Sequence, residues 1–231
     1  MKNTSRNRAW RPLAAFGAAL AVAATGTIAA PAGAERPPTC FGKQATIVSH
    51  DRDVVGTGRA DVIVVTGAAQ VTGHGGDDRI CGSWIVHAGA GDDRVRFGRP
   101  FHGDFVDVEG GRGNDRVLLI SAAPGRVTGG HGNDRISTRR GWQYVLGGRG
   151  ADTITAGPGS DEIQGGGGND LIRGQHGSDA ISGDAGSDTM LGGYGRDRID
   201  DSSGRDDVAR GGPGTDTCAV TVEHRIGCER T

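Results

Sequence analysis

A nine-residue repeat constrains the fold of this chain more than any other feature. From Gly147 the sequence divides into nonapeptides of the form GGxGxDxUx, where U is apolar. Six copies follow one another over 147–200, a weaker copy covers 201–209, and another begins at 211 after Arg210. Glycine accepts a positive φ at little steric cost, so each GGxGx segment favours a tight turn. The DxUx segment alternates its side chains and predicts a short strand. The period therefore predicts stacked turns and strands around a thin core.

Aspartate and an apolar residue keep fixed places in every copy of this array. The apolar eighth position runs from Ile154 to Val208 and then Cys218. The sixth position is Asp152, Asp161, Asp170, Asp179, Asp188, Asp197, Asp206 and Asp216. The repeats account for many of the 44 glycines and 28 acidic residues of the chain.

The same motif occurs upstream at about twice the spacing. Full copies begin at residues 110 and 129 and looser ones at 56, 73 and 88, and a valine stands two residues before each start from 73 onward. Their aspartates are Asp61, Asp78, Asp93, Asp115 and Asp134. We interpret this half as the same two-strand coil, in which only one of the two turns carries the motif.

The nonapeptide resembles the repeat of the RTX-type (hemolysin-type) calcium-binding proteins, which are secreted by bacteria. The resemblance implies an all-β fold, namely a right-handed parallel β-roll or β-helix solenoid with about 18 residues per coil. It also implies that several Ca2+ ions are bound. The apolar eighth residue would point inward and the seventh, often arginine, would face solvent.

Calcium requires ligands from two stacked turns, because it takes 6–8 oxygen atoms at about 2.3–2.6 Å. Turns on the same side belong to alternate repeats, so two rows of aspartates are expected. One row is Asp61, Asp78, Asp93, Asp115, Asp134, Asp152, Asp170, Asp188 and Asp206; the other is Asp161, Asp179, Asp197 and Asp216. The motif is incomplete at Arg59 and in 201–209, which weakens the prediction there.

The ends of the chain have different compositions from the repeats. A signal peptide is predicted over 1–34, with a membrane anchor as the alternative. The segment begins with basic residues, continues with an apolar run from Leu13 to Ala30 and ends with the small residues Ala32-Gly33-Ala34. The remainder is interpreted as a solenoid half over 35–146, a tandem calcium-binding β-roll over 147–219 and a cap over 220–231. We expect a secreted protein without a membrane span after cleavage.

Four cysteines are compatible with an exported chain. They allow three pairings, of which we expect Cys40 with Cys81 and Cys218 with Cys228, as staples at the two ends.

The expected function is calcium binding coupled to folding, with calcium ions as partners and no catalytic residues. The formal net charge of −2 argues against a nucleic-acid partner. HExxH and GxSxG motifs are absent from the sequence, so an enzyme is not expected. One alternative is an adhesion module that binds a glycan or another cell-surface partner through the aromatic-rich region 84–144. Its aromatics are Trp84, Phe97, Phe101, Phe105, Trp142 and Tyr144, which could instead cover the core. A less favoured alternative is a β-helix enzyme that acts on polysaccharides.

Overall fold

The computed structural model describes residues 38–67, 70–98, 105–201, 203–219 and 224–230. The predicted signal peptide, 1–34, lies outside these described residues. Every helix or strand element among them is a strand. Strands β1 (Thr39–Cys40) and β2 (Lys43–Gln44) form an antiparallel hairpin at the start.

Two parallel sheets of eleven strands each make up the rest of the structure. The first sheet contains β3 (Ile47–Ser49), β5 (Val62–Val65), β7 (Arg79–Cys81), β9 (Arg94–Phe97), β11 (Arg116–Leu119), β13 (Arg135–Thr138), β15 (Thr153–Pro158), β17 (Leu171–His176), β19 (Thr189–Tyr194), β21 (Val208–Arg210) and β23 (His224–Ile226). The second sheet contains β4 (Asp53–Val55), β6 (Gln70–Thr72), β8 (Ile85–Ala90), β10 (Val106–Arg112), β12 (Gly125–His131), β14 (Gln143–Arg149), β16 (Glu162–Gly167), β18 (Ala180–Ala185), β20 (Arg198–Asp200), β22 (Thr217–Cys218) and β24 (Glu229–Arg230).

Each coil contributes one strand to each sheet, because strands that are neighbours in a sheet are alternate strands of the chain. In the regular array, Ile154 pairs with Ile172 and Ile172 with Met190, a spacing of 18 residues. The upstream half keeps the same topology with unequal coils: Val71 pairs with Val86, and Val86 with Val108. The all-β parallel solenoid predicted from the repeat is therefore confirmed.

A thin apolar core runs between the two sheets. The inward residues Ile154, Ile172 and Met190 are fully buried, as is Ile199 on the second sheet. One continuous cluster of buried side chains extends from Val54 to Cys218. The outward residues between these positions are exposed or half-buried, as the alternation in the repeat predicts.

The weak repeat has a different alignment from the one predicted. Val208 pairs with Thr189 at the seventh position, and Ala209 pairs with Met190 at the eighth. Ala209 is fully buried, whereas Val208 is only half-buried. The prediction that Val208 is the inward residue was therefore wrong. The extra residue of this coil lies before the strand and not at Arg210.

Two disulfides lie near the ends of the solenoid, with the predicted pairing: Cys40 with Cys81, and Cys218 with Cys228. The first joins the β1–β2 hairpin to β7. Cys40 packs with Val62 and Val64, which are buried although they occupy outward positions on β5. The hairpin thus covers the outer face of β5.

The aromatic residues of the upstream half divide between core and surface. Trp84 and Phe97 are buried, with ring centroids 5.2 Å apart, so these two cover the core. Phe105 and Trp142 are each 51% exposed. Phe101 lies outside the described residues. Within the described ranges, no helix is long and apolar enough to cross a membrane.

Candidate metal sites along two aspartate rows

One row of aspartates runs along the side of the solenoid where each β-strand of the first sheet begins. The Oδ1 atom of each member accepts a hydrogen bond from the backbone N–H of the preceding member, at 2.7–2.9 Å. We call it the first aspartate row; it comprises Asp61, Asp78, Asp93, Asp115, Asp134, Asp152, Asp170, Asp188 and Asp207. This row crosses from the loosely spaced half into the regular array without a break.

A shorter row lies on the other side and begins with a glutamine. The backbone N–H of Gln143 donates to Oδ1 of Asp161, and the same bond then links successive aspartates. The second aspartate row comprises Asp161, Asp179, Asp197 and Asp216. The structure thus places the aspartates on the two sides that the spacing predicted, with one exception.

The exception is Asp206, which the repeat spacing predicts in the first aspartate row. Its neighbour Asp207 accepts the bond from the backbone N–H of Asp188 at 2.8 Å and is 1% exposed. Asp206 is exposed and has a positive φ of 61°. Because the coil accommodates its extra residue before the strand, the row passes through Asp207, and the assignment of Asp206 to it was wrong.

Most row carboxylates hold a second oxygen, Oδ2, that is buried and has no hydrogen-bond partner among the described residues. A buried polar atom without a partner is costly, so such atoms are rare unless a proton or ligand satisfies them. The aspartates with such an Oδ2 in the rows are Asp78, Asp93, Asp115, Asp134, Asp152, Asp161, Asp170, Asp179, Asp188, Asp197 and Asp216.

The glycine that opens each repeat brings a second oxygen to the same place. A Cβ built on Gly147 would lie 2.5 Å from Oδ2 of Asp152 and would overlap the carbonyl oxygen of Gly165 in the next coil. A Cβ built on Gly165 would meet Oδ2 of Asp170 and the carbonyl oxygen of Gly183 in the same way. The missing side chain therefore leaves a cradle where a carboxylate oxygen and a carbonyl oxygen converge.

Burial raises the pKa of ten of these carboxyl groups above the ordinary value of about 3.9. A backbone hydrogen bond opposes the shift in each case, and at several positions the charge of a neighbouring row carboxylate adds to it. The pKa is raised to about 6 for Asp115, Asp152 and Asp161, and to about 7 for Asp78, Asp93, Asp134, Asp170 and Asp179. Burial also raises the pKa of Asp188 and Asp197.

The first side chain of each row differs from the others, Asp61 in its hydrogen-bond partners and Gln143 in its chemistry. Oδ2 of Asp61 accepts hydrogen bonds from the backbone N–H and the hydroxyl of Thr57, at 2.7 and 2.8 Å. Gln143 is fully buried and donates from Nε2 to the carbonyl of Ala123. Thr57 thus satisfies Oδ2 of Asp61, in agreement with the incomplete motif around Arg59. Oε1 of Gln143, in contrast, is buried without a hydrogen-bond partner among the described residues, and a Cβ built on Gly125 would lie 3.0 Å from it and 2.8 Å from the carbonyl oxygen of Val106.

A third carboxylate joins the first aspartate row at its C-terminal end. Ligand atoms of Asp188, Asp201 and Asp207 all lie within 4.8 Å of one another, and the three residues are buried. Burial and a side-chain hydrogen bond with Asp207 raise the pKa of Asp201 to about 7. Asp201 was not predicted; it is the residue displaced by the longer coil.

Sequence spacing contained a signal for Gln143 but not for Asp207. Gln143 precedes Asp161 by 18 residues, the same-side spacing of the regular array, so counting backward would have found it. Asp206 and Asp207 are adjacent, and either can be aligned by moving a one-residue gap. Only the strand pairing distinguishes these two alignments.

The donor set of the cradles fits a hard divalent cation. Carboxylate and carbonyl oxygens are the ligands that calcium prefers, and calcium tolerates irregular geometry. The short aspartate side chain keeps Oδ1 on the neighbouring backbone while Oδ2 stays beside the glycine carbonyl. A calcium ion at these cradles would be held by Oδ2 of the row aspartates and by the carbonyls of the repeat-opening glycines.

Comparison with known protein families identifies the regular array. The family described as "RTX calcium-binding nonapeptide repeat (4 copies)" matches residues 146–181, 155–190 and 174–207. No curated protein matches the chain. The matched residues contain parts of both aspartate rows.

Proposed function

Because residues 146–207 consist of RTX-type calcium-binding nonapeptide repeats, we propose that this is a secreted protein that binds several Ca2+ ions along its two aspartate rows and couples their binding to folding. The row of buried, unpartnered Oδ2 oxygens beside glycine carbonyls carries the proposal. The ions would occupy the cradles between successive coils and complete the coordination that neither turn supplies alone.

The coupling to folding follows from the electrostatics of the rows. Successive carboxylates stand one strand spacing apart, about 4.8 Å, and burial opposes their ionisation. At neutral pH the metal-free solenoid therefore has to bury charge or keep protons, and both reduce its stability. A cation in each cradle removes this penalty, so binding contributes free energy to folding.

Secretion is supported by the disulfides and by the predicted signal peptide. Disulfides persist outside the cytosol, where calcium is also abundant. Extracellular calcium modules commonly bind with dissociation constants of about 10⁻⁴–10⁻³ M. With an affinity in that range, the chain would stay metal-free during synthesis and would bind calcium after export. The proposal makes the chain a binding protein and assigns it no catalytic residues.

A calcium titration of the chain lacking residues 1–34 tests the proposal. We expect calorimetry to record binding of several ions, and far-UV circular dichroism to record a gain of β signal over the same concentrations. Magnesium at equal concentration is the control, because it demands a near-ideal octahedral site. An identical β signal in chelator and in millimolar calcium would refute the coupling, and absence of calcium binding would refute the proposal.

A second candidate function, binding of a glycan or another cell-surface partner, is favoured by one observation. Phe105 and Trp142 are both 51% exposed, and backbone hydrogen bonds place Pro124 between them. Val106 donates to the carbonyl of Pro124, and Gly125 donates to the carbonyl of Trp142. An exposed apolar strip of this kind is typical of a binding surface.

Alanine substitution at Trp142 tests this second function, with Tyr194→Ala as the matched control. Tyr194 is 60% exposed but lies in the regular array. We expect Trp142→Ala to lose partner capture while calcium-induced folding is unchanged, and Tyr194→Ala to lose neither. Equal capture by both variants would refute a role for the strip.

A further inference from the structure

Four arginines form a straight column on the outer face of the first sheet. Arg79, Arg94, Arg116 and Arg135 are direct in-register partners on β7, β9, β11 and β13. Each directly follows a member of the first aspartate row. We call this set the arginine column. The column ends because the next strands carry other residues at the same position. Val62, which the N-terminal hairpin covers, pairs with Arg79, and Thr153 pairs with Arg135.

The column consists of like charges, and no carboxylate in the described part of the chain forms an ion pair with them. Three of its members are exposed and Arg79 is half-buried. The ion pairs found among the described residues join His87 to Glu109 and Arg198 to Asp200, so none of the described carboxylates lies within 4 Å of a column guanidinium. Neighbouring guanidinium groups on parallel strands repel one another. The fold itself therefore gains little from having arginine at all four positions.

A groove of about 350 Å³ runs beside the column. Its opposite wall contains Asp77, Asp92 and Asn114. The aspartates of this wall accept hydrogen bonds from the backbone: Oδ1 of Asp77 accepts from the N–H of Asp92, and Oδ1 of Asp92 accepts from the N–H of Asn114. The carboxylates of the first aspartate row lie along the same groove. Once cations neutralise that row, four guanidinium groups face two exposed carboxylates, and the groove is positively charged.

We propose that the arginine column binds a linear acidic polysaccharide that carries one carboxylate on each sugar. Guanidinium groups bind carboxylates through two parallel hydrogen bonds. The column repeats at the strand spacing of about 4.8 Å, which is close to the length of one pyranose unit in an extended chain. Because successive sugars of an extended 1,4-linked chain are rotated by about half a turn, alternate carboxylates face the same side and can meet alternate arginines of the column. Arg96 faces the same side of β9 and adds a cation beside the column.

A nucleic acid fits this surface less well. Bases of a single strand bind through stacking on aromatic side chains, and the residues around the groove include no aromatic ring. Phosphates along a duplex strand repeat at about 3.4 Å of helix rise, which does not match the column. The polysaccharide is thus the partner that both the charge and the spacing favour.

This inference rests on the proposed function, because calcium neutralises the row beneath the groove. The test uses the full chain without residues 1–34, in saturating calcium, with a fluorescently labelled hexamer of galacturonic acid as the probe. We expect binding that weakens as salt rises. The double variant Arg94→Gln/Arg116→Gln is expected to bind at least about tenfold more weakly.

Arg198→Gln is the matched control, because Arg198 also follows a row aspartate but pairs with Asp200 at 3.1 Å on the second sheet. Its affinity for the hexamer should equal that of the parent protein. Absence of hexamer binding by the parent, unchanged binding by the double variant, or equally tight binding of an oligothymidylate of the same charge would overturn the inference. Circular dichroism of each variant separates the outcomes: loss of calcium-induced folding in the parent overturns the proposed function itself.

Discussion

Each aspartate of the two rows uses its two carboxylate oxygens for different purposes. In Asp170, Oδ1 accepts the backbone N–H of Asp152 at 2.7 Å, which links two coils. Oδ2 faces the carbonyl oxygen of Gly183 across the space that a Cβ on Gly165 would fill. The first bond makes aspartate a structural residue, whereas the second oxygen makes it a candidate ligand. Glutamate would place its carboxylate too far from the backbone to serve both purposes.

Asp170→Asn is expected to separate these two purposes. The amide oxygen can keep the bond from Asp152, and the new NH2 group can donate to the carbonyl oxygen of Gly183. The metal-free protein should therefore become more stable by about 1–3 kcal/mol, while calcium should stabilise it less than it stabilises the parent. Thermal unfolding in chelator and in calcium measures both effects. Asp107→Asn, outside the rows, should change neither, and a destabilised metal-free Asp170→Asn variant would contradict the account.

The neighbouring residues Asp206 and Asp207 provide a second comparison at this scale. Asp207 lies in the first aspartate row and Asp206 is exposed. Asp207→Asn should reduce the number of calcium ions bound, as measured by calorimetry, whereas Asp206→Asn should leave it unchanged. The reverse result would place the row through Asp206.

The element that repeats is a turn followed by a strand, and its glycines are not equivalent. Gly150 has a φ of 121°, and a Cβ there would overlap the carbonyl oxygen of Gly132 in the preceding coil. Gly167, at the third position of its repeat, has no atom within 4 Å of an added Cβ. Turn positions where two coils approach closely, such as that of Gly150, therefore require glycine. Other turn positions, such as that of Gly167, have room for a side chain.

Alanine substitutions at these two glycines test this difference. We expect Gly150→Ala to destabilise the calcium-loaded protein by about 3 kcal/mol or more, because it adds both backbone strain and a clash. Gly167→Ala should change the free energy of unfolding by less than about 0.5 kcal/mol. Chemical denaturation in saturating calcium measures both values. Similar losses in the two variants would mean that the clash with the preceding coil does not decide stability.

Across the whole molecule, the first aspartate row joins the two zones that differ in sequence. It runs from Asp61 to Asp207 and so spans both the irregular coils and the regular array. The aspartates of the second row begin only at Asp161, after Gln143. The upstream coils therefore carry candidate sites on one side, while the regular array carries them on both. Neutralisation of these rows should determine the stability of the entire solenoid.

The raised pKa values predict how pH acts on the metal-free protein. Folded Asp134, Asp170 and Asp179 keep their protons up to about pH 7, whereas unfolded aspartates lose theirs near pH 3.9. The folded state therefore binds more protons between these values, and its stability falls as pH rises toward and through 7. Without calcium, lowering the pH from 8 to 5 should raise the melting temperature by on the order of 10 °C.

Calcium should reverse this pH preference, because protons and cations compete for the same carboxylates. Calcium affinity should fall as pH decreases from 8 to 5. Circular dichroism melting curves at both pH values, with and without chelator, measure the two trends. A metal-free protein that is most stable at pH 8 would contradict the burial of ionisable carboxylates along the rows.

Much of the candidate site could be predicted because the repeat is strictly periodic. Asp152, Asp170 and Asp188 recur every 18 residues, so their presence on one side follows from counting. Asp207 could not be separated from Asp206, because a one-residue gap can be placed on either side of the motif. Phe97 could not be separated from Phe105, since both lie in irregular coils, yet one is buried and the other exposed.

The sequence by itself determined the class of fold, the two-sided arrangement of aspartates and the glycine turns, since these depend on local conformation and on period. Tertiary structure alone decided the path of the first row through Asp207 and the in-register column from Arg79 to Arg135. Each of these features depends on which residues stack between coils. Stacking is set by strand register, and a coil of variable length leaves register open until the chain has folded.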